Sequence, residues 1–132
     1  MSDFSEIDRD EIAVQFVRVP DGLEHIRRAW DELEAVVPPR GRHFYGAFDP
    51  LAEDYRACVE VREGDELAPG LESGTLPGGR YLRARLRGDP PAVYERIGPT
   101  FDELTKQVRP DTSRPSLEHY RRHDEIDLLL PI

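Results

Sequence analysis

The sequence predicts an α+β fold built as a tandem β-α-β-β repeat, and three observations predict it. Trp30-Asp31-Glu32-Leu33 returns as Phe101-Asp102-Glu103-Leu104. Each copy lies inside an amphipathic run that follows a Pro/Gly/Asp break, and each run leads into two short strand-like segments. A unit of this size cannot bury its own apolar face, so the halves, about residues 11–62 and 75–132 with a connection over 63–74, are expected to form one domain of residues 1–132. Ligand-sized clefts form where such units meet.

The elements follow in order. Residues 1–10 (MSDFSEIDRD) read as a frayed acidic tail, and Ile12 to Val19 as a first strand rich in Val, Ile and Phe. Asp21 and Glu24 have the spacing of a capping box, and Leu23, Ile26, Trp30, Leu33 and Val37 recur at three and four residues, drawing one apolar stripe as far as Pro38-Pro39. Trp30 and Phe101 fall on such stripes and read as core. His43 to Phe48 and Tyr55 to Val61 are two strands joined by the turn-prone Asp49-Pro50 segment. Glu63 to Gly79 holds five glycines and two prolines and reads as a connection.

The second half repeats the first. Arg80 to Arg87 is a strand, and Asp89-Pro90-Pro91 starts a helix whose apolar face is Val93, Ile97, Phe101, Leu104 and Val108. Gly98-Pro99 predicts a kink or a helix in two pieces, because proline lacks the amide donor and crowds the preceding turn. Pro115 to Arg121 and Ile126 to Ile132 close the chain as a hairpin turning at His123-Asp124-Glu125.

Composition excludes several functions. A net charge of −9 opposes direct binding to nucleic acid, which needs Lys and Arg to displace counterions. No apolar run approaches the ~18 residues of a spanning helix, and the acidic start is unlike a signal peptide, so the expected location is the cytoplasm, with no membrane partner. Cys58 is alone in the apolar stretch Ala57-Cys58-Val59 and reads as a small core residue rather than a reactive thiol. His119 and His123 stand ~13 Å apart in extended chain, too far to share a zinc ion, and the glycines of Leu76-Pro77-Gly78-Gly79 precede a strand where a phosphate loop would precede a helix. The sequence gives no sign of a metal or a cofactor.

Three segments carry a family likeness. Leu76-Pro77-Gly78-Gly79-Arg80-Tyr81 opens the second unit, Leu117-Glu118-His119-Tyr120 is similar to an aromatic-Glu-apolar-Tyr strand, and Ile126-Asp127-Leu128-Leu129-Leu130-Pro131-Ile132 ends the chain. In this order, across a duplicated framework, they resemble the GyrI-like small-molecule-binding domains, which also form the effector-binding halves of multidrug-sensing bacterial regulators. His119 and the Gly98-Pro99 break depart from the family pattern. The resemblance implies a curved antiparallel sheet with two helices on one face, a ligand cleft on the other, and a ligand-facing role for Glu118.

Strand alternation supplies candidate site residues. If Leu117 covers the helices, Glu118 and Tyr120 face the cleft, and matching the halves at Tyr45 and Leu117 pairs Gly46 with Glu118 and Phe48 with Tyr120. An acid beneath aromatic walls suits a cationic or strongly polarised apolar ligand. If the apolar side of Leu82 to Leu86 likewise covers the helices, Tyr81, Arg83, Arg85 and Arg87 share the open face with Glu118, either neutralising it or binding an anion. Tyr55, Cys58 and Glu60 are candidates for the rim.

Three function classes remain. The first is a stand-alone receptor for small amphipathic molecules. With about ten residues before the first strand, a complete DNA-binding regulator is not expected. The second is a hydrolase that opens cyclopropane-bearing toxins, as some GyrI-like proteins resemble, with Glu118 as general base and Tyr120 or Tyr45 positioning the electrophile. The third is an acidic inhibitor of a DNA-handling enzyme, whose protein partner would meet Asp31, Glu32, Glu34, Asp102 and Glu103 on the helices.

Overall fold

Each half contains the expected strand-helix-strand-strand unit, and each carries one strand more. The computed structural model describes residues 4–38 and 41–132. The first half comprises β1 (Ser5–Arg9), β2 (Ile12–Pro20), α1 (Leu23–Val36), β3 (Phe44–Asp49) and β4 (Asp54–Glu60). The second comprises β5 (Glu72–Leu76), β6 (Gly79–Arg87), α2 (Ala92–Glu95), α3 (Ile97–Gln107), β7 (Ser116–Arg122) and β8 (Glu125–Pro131). All eight strands form one curved antiparallel sheet in the order β1-β6-β8-β7-β3-β4-β2-β5.

That order reads alike from both ends, with β3 and β7 at the centre. β1 leads into β2 but pairs with β6, while β5 leads into β6 but pairs with β2, so each half lends its first strand to the other. The two connections pass closely. A Cβ at Gly78 would lie 2.7 Å from both the Arg9 carbonyl oxygen and the Glu11 amide nitrogen, so the crossing requires a glycine.

These two strands correct the sequence reading. The supposed acidic tail contains β1, whose Ile7 packs inward while Glu6 and Asp8 face solvent and pair with Arg80 at 3.3 and 3.4 Å. With a single inward apolar residue, the segment has too little alternation to announce itself; residues 1–3 lie outside the described part. The glycine-rich connection likewise contains β5, recognisable only through its pairing with β2.

The sheet buries both faces, by different means. On one face α1 packs over β2 and β4, and α3 over β8 and β6, with Ala29, Leu33 and Leu104 fully buried at the contacts. On the other face Val14, Phe16, Tyr45, Ala47, Cys58, Leu76, Tyr81, Leu117 and Leu129 form a cluster, joined by Ile7 and Ile12, to which no helix contributes. A sheet can bury one face against itself only when it curves strongly, as twisted sheets do on approaching a barrel.

The helix ends hold two further results. Gly22, at φ +138°, caps α1, and no side chain donates or accepts there, so the Asp21–Glu24 box does not form. α1 stops at Val36 as expected near Pro38; Pro39 lies outside the described residues. The second helix is in two pieces, broken at Arg96. Pro99 then falls in the first turn of α3, where its missing amide would have had no partner.

Leu33 and Leu104 occupy matching places in the repeat and are each 0% exposed. Leu33→Ala and Leu104→Ala should therefore each cost about 2–5 kcal/mol in urea unfolding. A loss well under 1 kcal/mol at either would mean that its helix does not anchor its half.

Candidate functional site

The helices α1 and α3 cover separate halves of the sheet, and a groove runs between them over β3 and β7. Its floor is set by the central strand pair, where Gly46 is the register partner of Glu118. Across the next strands Glu118 aligns with Leu128, and Leu128 with Ala84, both of which pack in the cluster beneath α3. Glu118 therefore lies on the helix-bearing face. The cleft expected on the face away from the helices lies instead between them, with Glu118 facing it; Leu117, expected to cover the helices, belongs to the self-buried cluster on the other face.

Three aromatic residues hold the carboxylate. The Tyr55 hydroxyl donates to Glu118 Oε1 at 2.8 Å, the Tyr120 hydroxyl donates to the same oxygen at 2.7 Å, and Trp30 Nε1–H donates to the Tyr55 hydroxyl at 3.1 Å. Gly46 makes this possible. A Cβ there would stand 2.8 Å from Tyr55 Cζ and would collide with the Tyr55 hydroxyl and Glu118 Oε1. Trp30 also meets Tyr120 edge-on at 5.3 Å, Tyr94 of α2 meets Tyr120 at 6.3 Å, and Phe44 tilts against Trp30 at 6.3 Å, so the aromatic wall is continuous from α1 to α2.

Glu118 is half-buried, and its electrostatics are those of a partly desolvated acid. Among the described residues no Lys, Arg or His nitrogen forms an ion pair with Glu118, and its Oε2 has no hydrogen-bond partner. Burial pushes its carboxyl above the ordinary glutamate value, against the pull of the Tyr120 and Tyr55 hydrogen bonds. Burial, reinforced by the Glu118 charge, raises Tyr55 and Tyr120 well above the phenol range, which keeps both protonated as donors. Of the arginines that line the groove, Arg42 pairs with Asp65, Arg114 with Asp111 at 3.1 Å, and Arg121 with Glu125 and Asp127 at 3.4 and 3.5 Å; Arg27 and Arg122 line its outer part without an ion pair to Glu118 among the described residues.

The groove assembles some of the expected residues and leaves out others. Glu118, Tyr120 and Phe48 line it, with Gly46 beneath them. Tyr81, Arg83 and Arg85 do not, because the alternation that points Leu82, Ala84 and Leu86 at the helices points these three away, and neither does Tyr45, which alternates with Gly46 on β3. Tyr81 is fully buried, donating to the Pro77 carbonyl at 2.6 Å beneath the Arg114 guanidinium. Arg85 is bidentate on Asp127 at 2.7 and 3.1 Å, and Arg87 pairs with Glu125 at 3.0 Å. Tyr45 accepts from Arg9 at 3.0 Å and stacks on His119 at 4.4 Å.

His119 meets His43 at 3.0 Å and is itself met by Arg9 at 3.3 Å, where its Nδ1 must accept because a guanidinium only donates. Burial, the Arg9 charge and His43 hold the His119 imidazole neutral, pushed down to about 3. Cys58 is a core residue on this same face, its thiol pushed up by burial to about 12. Glu60, expected at the rim, instead accepts the His43 amide at 3.1 Å and pairs with Arg62 at 3.2 Å. No group of three or more His, Cys, Asp or Glu suited to a metal ion occurs among the described residues.

Trp30 and Phe101, read as core, are half-buried and wall the groove from facing helices. Tyr55, read only as a rim candidate, lies at the floor. The signal for it was the glycine at position 46, which leaves room for one large side chain opposite the acid.

The comparisons with known proteins agree with this architecture. Residues 17–132 match the Cass2 family model, described as integron-associated effector binding protein. The chain belongs to this GyrI-like family. The Vibrio cholerae integron cassette protein VCH_CASS2 superposes with a TM-score of 0.74 at 14% identity, covering 97% of this chain and 94% of that one. SAV2435, solved bound to tetraphenylphosphonium, gives 0.67 at 14% identity over 98% and 93%. EcmrR, solved in a complex with DNA, gives 0.64 at 14% identity over 97% of this chain and 56% of EcmrR. At these identities the likeness is one of fold. A search of curated protein sequences gives no match. The family's effector-binding fold is consistent with small-molecule binding, and no helix among the described residues is long and apolar enough to cross a membrane.

The raised Glu118 carboxyl has a stability consequence. A carboxyl whose folded value lies above its unfolded one favours the native state in acid and loses that contribution as pH rises through the folded value. Glu118→Gln keeps an acceptor for both phenols and removes the charge. It should be more stable than the parent at pH 7, with the gap closing below the ordinary value of 4.5, in urea unfolding at a series of pH values. A variant less stable than the parent at neutral pH would contradict the desolvated carboxylate.

Proposed function

We propose that the protein is a receptor for small amphipathic cations, held between the helices with their charge against Glu118. The observation that carries this reading is a carboxylate on the floor of an aromatic groove with no ion-pair partner among the described residues. An unpaired charge in such a place is costly to keep, and a bound cation offsets that cost while its apolar body replaces water on Trp30, Phe44 and Tyr120. The tetraphenylphosphonium bound by SAV2435 has this chemistry, on the same fold.

The other function classes draw less support. The hydrolase reading loses Tyr45, which lies on the opposite face of the sheet. The inhibitor reading requires the acidic helix residues to form a face of their own. Instead Asp31, Glu34 and Asp102 line the groove, while Glu32 pairs with Arg28 at 3.8 Å and Glu103 with Lys106 at 3.3 Å.

Tetraphenylphosphonium is a suitable probe, with triphenylphosphine oxide as its uncharged counterpart. Calorimetry should show the cation binding more tightly than the oxide, and Glu118→Gln should weaken the cation by ~1–3 kcal/mol while changing the oxide little. Equal affinity of parent and variant for the cation would remove Glu118 from the site.

A further inference from the structure

The groove has two lobes, and Glu118 belongs to both. One, of about 970 Å³, lies among Trp30, Phe44, Tyr94 and Tyr120. The other, of about 580 Å³, lies among Phe48, Pro50, Phe101 and Pro110. The residues common to the two are Ile26 of α1, Ile97 of α3, Tyr55 and Glu118. Each lobe is of the size of a small-molecule site in its own right, roughly 300–1,000 Å³. The acid thus stands where the lobes meet, not at the closed end of a tunnel.

We propose that the ligands this groove selects carry their charge at the centre, with two apolar arms diverging from it. The inference rests on Glu118 being the counter-ion of a bound cation. An amphiphile with a terminal head sets that head against Glu118 and lays its single tail in one lobe, leaving the other lobe's aromatic surface wet. A centrally charged molecule of the same size sets its charge in the same place and sends one arm past Trp30 and Tyr120 and the other past Phe48 and Phe101. Both then shed water from apolar surface, which is the main source of affinity in such a groove.

Two isomeric quaternary ammonium ions separate charge position from every other property. Diheptyldimethylammonium and tridecyltrimethylammonium have the same formula and the same charge, and differ only in whether the nitrogen is central or terminal. Titration of the full chain below the micelle concentrations should show the two-armed ion binding at least about tenfold more tightly. Trp30→Ala and Phe101→Ala should each weaken the two-armed ion, whereas the terminal ion should respond to one of them and ignore the other.

Equal affinities for the isomers, or tighter binding of the terminal one, overturn the central-charge inference. The Glu118→Gln variant distinguishes that failure from a deeper one. If the variant weakens both isomers while the parent binds them equally, the cation site stands and the two-armed preference falls. If the variant binds both as the parent does, or if neither isomer nor tetraphenylphosphonium binds the parent, the cation site falls and the preference with it.

Discussion

A carboxylate seated on the central strand pair, served by two phenols and by no cation among the described residues, is the constraint on which the rest of this site depends. Glu118 is tolerable there because Tyr55 and Tyr120 donate to one of its oxygens, and Tyr55 reaches it because residue 46 is glycine. The exchange of first strands, β1 for β5, draws the two halves into one sheet whose central pair is β3 and β7. The separation of α1 from α3 keeps that pair uncovered. The fold thus delivers one acid to the middle of a groove and surrounds it with rings from both helices.

The duplication supplies the frame, and departures from it supply the site. Positions 46 and 118 face one another across the centre of the sheet, and the halves place a glycine in one and a glutamate in the other. A glutamate in both would set two like charges side by side in a poorly hydrated place, and one of them would have to be protonated. The glycine avoids this conflict and makes space for Tyr55. Glu118, its partner in the centre, uses one oxygen for both phenols.

Much of the frame was legible in the sequence. Apolar residues at three- and four-residue spacing gave α1 and α3, alternation gave six strands to within a residue or two, and Gly98-Pro99 gave the two-piece helix. β1 and β5 escaped because each shows little apolar alternation and owes its structure to a partner far along the chain. The site was half legible. Alternation puts Glu118 and Tyr120 on one face and Leu117 on the other, as the structure does, but an apolar residue does not mark the helix side here. In a sheet curved enough to bury its second face, Leu117 and Tyr45 are core without touching a helix, so Tyr81, Arg83 and Arg85, expected on the face of Glu118, lie on the opposite one. Curvature is a property of the whole sheet, and no local pattern of residues announces it.

The central proposal is that Glu118, without an ion-pair partner among the described residues, is the counter-ion of a bound cation, and its carboxyl titration tests this most directly. Carbon-detected NMR of the glutamate side chains, with Glu118→Gln assigning the resonance, should place the Glu118 carboxyl above its ordinary 4.5 in the free protein. Saturating tetraphenylphosphonium should bring it down, because a nearby positive charge favours the ionised form. A carboxyl that titrates at or below the ordinary value without ligand, or that does not respond to the cation, would contradict the account.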